Sequence, residues 1–112
     1  MCRDIHKGVF GFYGDRTGRR YTITRTDSTQ TEIDENNGIT YQFAITWIND
    51  CEYEMRFLKI LKAEGDTSHI RTNFHVVRVK ILSIGPDYYV FRAKTDGLST
   101  ELTDTMGINK VY

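Results

Sequence analysis

Glu52 and Glu54, one residue apart, have the side chains of a general acid–base pair. On a strand they would share a face about 7 Å apart. Tyr53 and Met55 claim the opposite, apolar face, so the two carboxylates read as solvent-facing charge. His69 falls in a polar connection and His75 at the start of a strand-like run. Neither has a partner at ligand spacing, and both read as surface residues. The two cysteines, Cys2 and Cys51, form no C-x-x-C pair and no zinc set. Seven tyrosines are present, none in a recognisable nucleophile setting. No nucleophile and base can be assembled, which points to a non-enzymatic protein without metal or cofactor.

The most informative polar group is Arg25. It follows Tyr21 and Ile23 at two-residue intervals, so in a strand it lies on an apolar face. A tight turn at Asp27-Ser28 sets Arg25 opposite Gln30 and Ile23 opposite Glu32. A buried arginine must be paired or reach water, because an unpaired interior charge is very costly. Two arrangements meet that demand. In one, Arg25, Gln30 and Glu32 orient a small anionic or polar ligand in a barrel mouth, with Tyr41, Trp47 and Tyr53 as walls. In the other, an internal Arg25–Glu32 pair, stacked on an aromatic ring, plugs a barrel filled by its own side chains.

These residues need strands to position them, and the chain reads as strands nearly throughout. Apolar and polar residues alternate with period two, and Thr, Tyr, Phe, Ile and Val are abundant. In TYQFAITW, from Thr40, Tyr41, Phe43, Ile45 and Trp47 share a face. Cys51, Tyr53, Met55 and Phe57 share the next. A three-residue loop, Ile48-Asn49-Asp50, would pair Trp47 with Cys51 and Ile45 with Tyr53, keeping every bulky group on one side, with Asp50 in the left-handed region.

Upstream, Glu35 to Gly38 reads as a four-residue loop that brings Glu32 to Tyr41 and Gln30 to Phe43. Downstream, Gly85-Pro86-Asp87 separates Phe74–Ile84 from Tyr88–Lys94. Val77, Val79 and Ile81 then share a face with Tyr89 and Phe91. Val9 to Tyr13 is the first strand and Ile108 to Tyr112 the expected last. Leu98 to Asp104 fits a short strand or a helical turn. The result is an all-β domain over residues 1–112, about eight antiparallel strands in an up-and-down barrel, since closure removes two unpaired edges.

The chain has 112 residues, 39% hydrophobic and 27% charged, the balance of one globular core. Fifteen basic residues match fifteen acidic ones, so there is no basic surplus for nucleic acid. Asp15 to Arg20 is a small basic tip that could touch phosphate or acidic glycans but is more simply a solvated loop. Together with the polar connection Ala63 to Thr72, it is the loop surface available to a protein partner. The opening MCRDIHKG lacks an apolar signal region. If the protein is exported, its leader is missing here and Met1 is an added start.

Cys2 and Cys51 leave three states open. They can form a disulfide worth roughly 4 kcal/mol in chain entropy, which requires an oxidising compartment. They can both be reduced. Alternatively, Cys2 can be the acylated residue of a lipoprotein, which would make a lipid anchor the one route to a membrane.

The order of Cys2, Gly8-Val9-Phe10, Arg25, Gln30-Thr31-Glu32 and Trp47-Ile48-Asn49-Asp50-Cys51-Glu52-Tyr53 resembles a family of small bacterial envelope proteins. Some of its members are catalogued as DNA topoisomerase IV. The similarity covers the first half of the chain through these motifs and the second half only as a strand pattern. It implies a calycin-like, lipocalin-shaped barrel, exported to the periplasm or envelope, with paired cysteines. A topoisomerase activity finds no support in the residues: there is no phosphate-binding glycine loop and no room for a DNA-cleaving domain.

Overall fold

A computed structural model describes residues 2–14, 18–62, 76–97 and 101–109. A short 3-10 turn, Cys2–Ile5, leads into eight strands. These are β1 (Gly8–Gly14), β2 (Arg19–Arg25), β3 (Thr29–Asp34), β4 (Thr40–Asn49), β5 (Glu52–Lys62), β6 (Val77–Ile84), β7 (Tyr88–Thr95) and β8 (Glu101–Ile108). Each pairs antiparallel with the next, and β8 returns to β1, closing an up-and-down barrel. His69, His75, Ala63–Thr72 and the Asp15–Thr17 part of the basic tip lie outside the described residues.

Local chemistry sets the turns. Thr26 Oγ1 accepts the N–H groups of Ser28 and Thr29, which tightens the Asp27-Ser28 turn. The Glu35–Gly38 loop closes with Gly38 at φ 76° and its N–H on the Asp34 carbonyl, 2.7 Å. Glycine suits that left-handed step because it has no Cβ. The observed pairs Arg25↔Gln30, Ile23↔Glu32, Gln30↔Phe43 and Glu32↔Tyr41 are those the alternation predicts. At the lone proline, Gly85 N–H reaches the Tyr88 carbonyl at 2.7 Å, which leaves Pro86 outside the ladder.

Three expectations are corrected. The β4–β5 hairpin pairs Trp47 with Tyr53, Ile45 with Met55 and Asn49 with Glu52, so its tip is the two residues Asp50-Cys51. Ile48 is taken up in a bulge between Trp47 and Asn49 that shifts the ladder by one residue; with the tip at Asp50-Cys51, the register below the bulge differs from the expected one by two residues and so preserves the faces. Asp50 is not left-handed: Asn109 is the one non-glycine with positive φ among the described residues. Instead, Asn49 Oδ1 accepts the Cys51 N–H at 2.9 Å and supports the tip with a side chain. The closing strand is Glu101–Ile108, so Ile108 ends a strand and the chain turns at Asn109 (φ 56°); Lys110–Tyr112 of the expected last strand lie outside the described residues.

The core is the barrel interior. Phe10, Ile23, Ile45, Tyr53, Val79, Ile81, Tyr89, Phe91 and Met106 fill it, and Cys2 and Ile5 of the 3-10 turn join from one end. Trp47 and Cys51 both pack against this core. Cys2 and Cys51 form a disulfide, Cα–Cα 5.2 Å, tying the 3-10 turn to the β4–β5 tip. A sulfur held in that bridge is not free to carry an acyl chain.

Candidate functional site

Arg25 ends β2 on the inner face and is 2% exposed. Each of its three nitrogens donates to a neighbour within the protein. Nε donates to Gln30 Oε1 at 2.8 Å and Nη1 to the Ile5 carbonyl at 2.9 Å. Nη2 donates to the hydroxyls of Tyr53 at 3.2 Å and Tyr89 at 2.9 Å. The guanidinium carbon lies 4.5 Å from the Phe10 ring centre, 5.0 Å from Tyr53 and 5.9 Å from Tyr89. Four strands and the 3-10 turn thus converge on one cation.

The predicted Arg25–Glu32 pair is replaced by a relay. Gln30, itself buried, accepts from Arg25 through Oε1 and donates through Nε2 to Glu32 Oε2 at 2.7 Å. Only one orientation of the amide serves both partners. The geometric reason is register: Gln30 is opposite Arg25, whereas Glu32 is opposite Ile23, one inward position farther along the barrel.

Charge and burial oppose each other here. Burial disfavours the charged Arg25, but Tyr53, Tyr89 and the Glu32 carboxylate outweigh it, so its affinity for the proton is raised. Burial pushes the Glu32 carboxyl upward, while the Gln30 hydrogen bond and the Arg25 charge pull it back only in part. Burial, followed by Tyr89, pushes the Tyr53 phenol well above 10.

The sequence reading missed the rest of this inner polar line. Asp34, 1% exposed, accepts from Arg19 Nη1 and, through Oδ1, from the Asn36 N–H at 3.0 Å. Tyr21 stands opposite Asp34, and the Tyr21 and Tyr41 phenols are raised first by burial and then by that carboxylate. The order along the inner face is Arg25, Glu32 and Asp34, with Arg19 half-exposed beyond them: a cation at each end and two carboxylates between. The signal was present, since Gln30, Glu32 and Asp34 recur at two-residue spacing. Tyr89 and the Ile5 carbonyl could not be found that way, because β7 and the 3-10 turn are distant in sequence.

Of the proposed ligand residues, Arg25, Gln30, Glu32 and Tyr53 meet in one network. Tyr41 stands opposite Glu32 rather than at Arg25. Trp47 reaches the cluster through Tyr53, ring centres 4.7 Å apart, and it stacks on His6 at 3.4 Å. His6 Nε2 in turn lies 2.8 Å from the Asp50 carbonyl. The Trp47 Nε1 is buried without a hydrogen-bond partner.

Among the described residues, two cavities lie away from this network. One of about 280 Å³ sits on the outer face beside Glu54, Arg78 and Lys94. There Glu54 is ion-paired with Arg78 at 2.8 Å, as a surface carboxylate. The other, about 530 Å³, opens at the disulfide. Among the described residues no cluster of three or more His, Cys, Asp or Glu is placed to hold a metal. No family model, curated protein or solved structure matches the chain.

Proposed function

We propose that this protein is a non-enzymatic, exported interaction module whose interior is a solid structural plug, and that it works through its outer surface on a protein partner. The observation that carries this reading is Arg25: its Nε, Nη1 and Nη2 are all engaged by internal groups, and it is closed to solvent. A ligand-orienting arginine needs a donor directed at open space. A small ligand in the barrel mouth would first have to break the Gln30 relay.

The disulfide supports an oxidising compartment, and the sequence resemblance to exported calycin-like barrels points the same way. Half-exposed apolar groups, Ile48, Leu82 and Tyr88, supply contact area outside the barrel. Native mass spectrometry of the protein purified from its own cell envelope tests the proposal. The expected species are the bare chain and the chain bound to another polypeptide. A one-to-one adduct with a small organic molecule, lost in Trp47→Ala, would overturn it.

A further inference from the structure

The 530 Å³ cavity is a groove with two unusual walls. One is the disulfide itself: Cys2, Arg3, Asp50 and Cys51 line it. The other is a length of β6 that has outrun its neighbour. The β5–β6 ladder ends at Glu52↔Lys80, and Ile81 N–H makes a last bond, 2.8 Å, to the Cys51 carbonyl. Beyond it, Ser83 and Ile84 pair only with Val90 and Tyr89 of β7. The β5 side of Leu82–Ile84 is therefore a free strand edge, flanked by the exposed side chains of Leu82 and Ile84. Such an edge takes an extended segment by strand addition, and a disulfide beside it selects a segment that carries a thiolate.

We propose that this groove receives the cysteine-bearing segment of a dithiol oxidoreductase, and that the Cys2–Cys51 bridge is an exchangeable latch on the 3-10 turn. Cys2 is 8% exposed and Cys51 more open, so the partner thiolate attacks Cys51 Sγ. The S–S bond breaks, and its electron pair leaves on Cys2 Sγ, which takes a proton from solvent. Arg3 and Asp50 on the same groove are ion-paired with each other at 3.2 Å and largely exposed, so the polarity of attack rests on access to the two sulfurs and not on these charges. The partner's second thiolate then attacks its own sulfur in the mixed disulfide and frees Cys51 as a thiol. The partner dithiol becomes a disulfide, and this protein gains two electrons and two protons. The reverse sequence installs the bridge.

Opening the latch reaches the barrel interior. With the bridge gone, the turn is held by Ile5 in the core, its carbonyl on Arg25, the His6–Trp47 stack and the exposed Arg3–Asp50 pair. The inference stands apart from the interaction-module reading, because a barrel that held a small ligand would keep the same groove.

The test uses the oxidised full chain, a thioredoxin-type dithiol protein as the probe, and alkylation with mass analysis as the readout. The bridge should be reduced under native conditions at a rate proportional to the probe and unchanged by sub-transition urea. A probe lacking its second cysteine should be trapped on Cys51. Leu82→Asp should slow reduction by the protein probe at least tenfold, and Leu82→Ser by less, while dithiothreitol reduces both variants within twofold of the parent. Reduction that rises with urea in step with global unfolding would overturn the proposal. So would trapping on Cys2, or an equal response of both reagents to the Leu82 variants.

Discussion

Replacing Arg25 with methionine keeps an unbranched stem of similar length and removes the guanidinium. The two phenols can re-aim their hydrogens, but Gln30 Oε1 and the Ile5 carbonyl are acceptors only and lose their donor. An orphaned buried acceptor costs about 1–3 kcal/mol, so the pair costs about 2–6 kcal/mol. Relief from burying a cation offsets part of this, leaving an expected loss of about 3 kcal/mol. Unfolding entropy of about 2.1 cal/mol/K per residue converts that to a melting temperature lower by about 13 °C. Urea unfolding followed by Trp47 fluorescence should show the lower midpoint with an unchanged slope.

The double change with Glu32→Gln should recover part of the loss, because Arg25→Met leaves the Glu32 carboxylate without its countercharge. An Arg25→Met protein as stable as the parent would refute the reasoning. It would mean that the four hydrogen bonds do no more than cover the cost of burying the charge. Stability could not then account for an arginine at this position, and a ligand role would regain its claim.

Glu32 should leave a mark on pH dependence. Its folded-state carboxyl is raised by burial, so its favourable contribution is full below the ordinary carboxyl value and is lost as pH rises through the raised one. Glu32→Gln should flatten that part of a stability–pH profile and leave the variant no less stable than the parent at neutral pH. Replacing both cysteines with serine removes the closure of a loop spanning 49 positions. The chain-entropy model then predicts a loss of about 4 kcal/mol, measurable by urea midpoint against the oxidised parent. Gly8 sits at φ 135°, a region where a side chain is strained by about 1–3 kcal/mol. Gly8→Ala should cost that much in the same assay, and a neutral result would show that the β1 entry can relax.

The inner face of β2–β3–β4 was legible because period two carries across two short turns whose residues state their own type. Asp27-Ser28 and Glu35–Gly38 leave no slack, so Arg25, Gln30 and Glu32 fall where alternation puts them. The β4–β5 tip was not legible for a specific reason. A tip at Asp50-Cys51 and a one-residue bulge at Ile48 together move the ladder by two from the expected register, and pairings that differ by two residues bury the same faces. The 3-10 turn was hidden because MCRDIHKG holds one strongly apolar anchor, Ile5, and its importance comes from a backbone carbonyl that every residue possesses. The relay was half visible: the three polar groups could be placed, but whether Arg25 met Glu32 directly or through Gln30 depended on side-chain reach.

The ring of strands is not equally strong all the way round. Where β8 meets β1, the rungs are Phe10↔Ile108 and Gly11↔Gly107, the second between residues that have no side chains to interlock. Beyond them, Phe12 and Tyr13 on one margin and Glu101 to Met106 on the other have no opposite number among the described residues. This seam joins the strands farthest apart in sequence, so it is the last to zip and the first to part. Amide exchange should therefore run fastest along that line. The cylinder breathes there like a cuff with a single button, while the latch that staples its floor sits on the far hairpin.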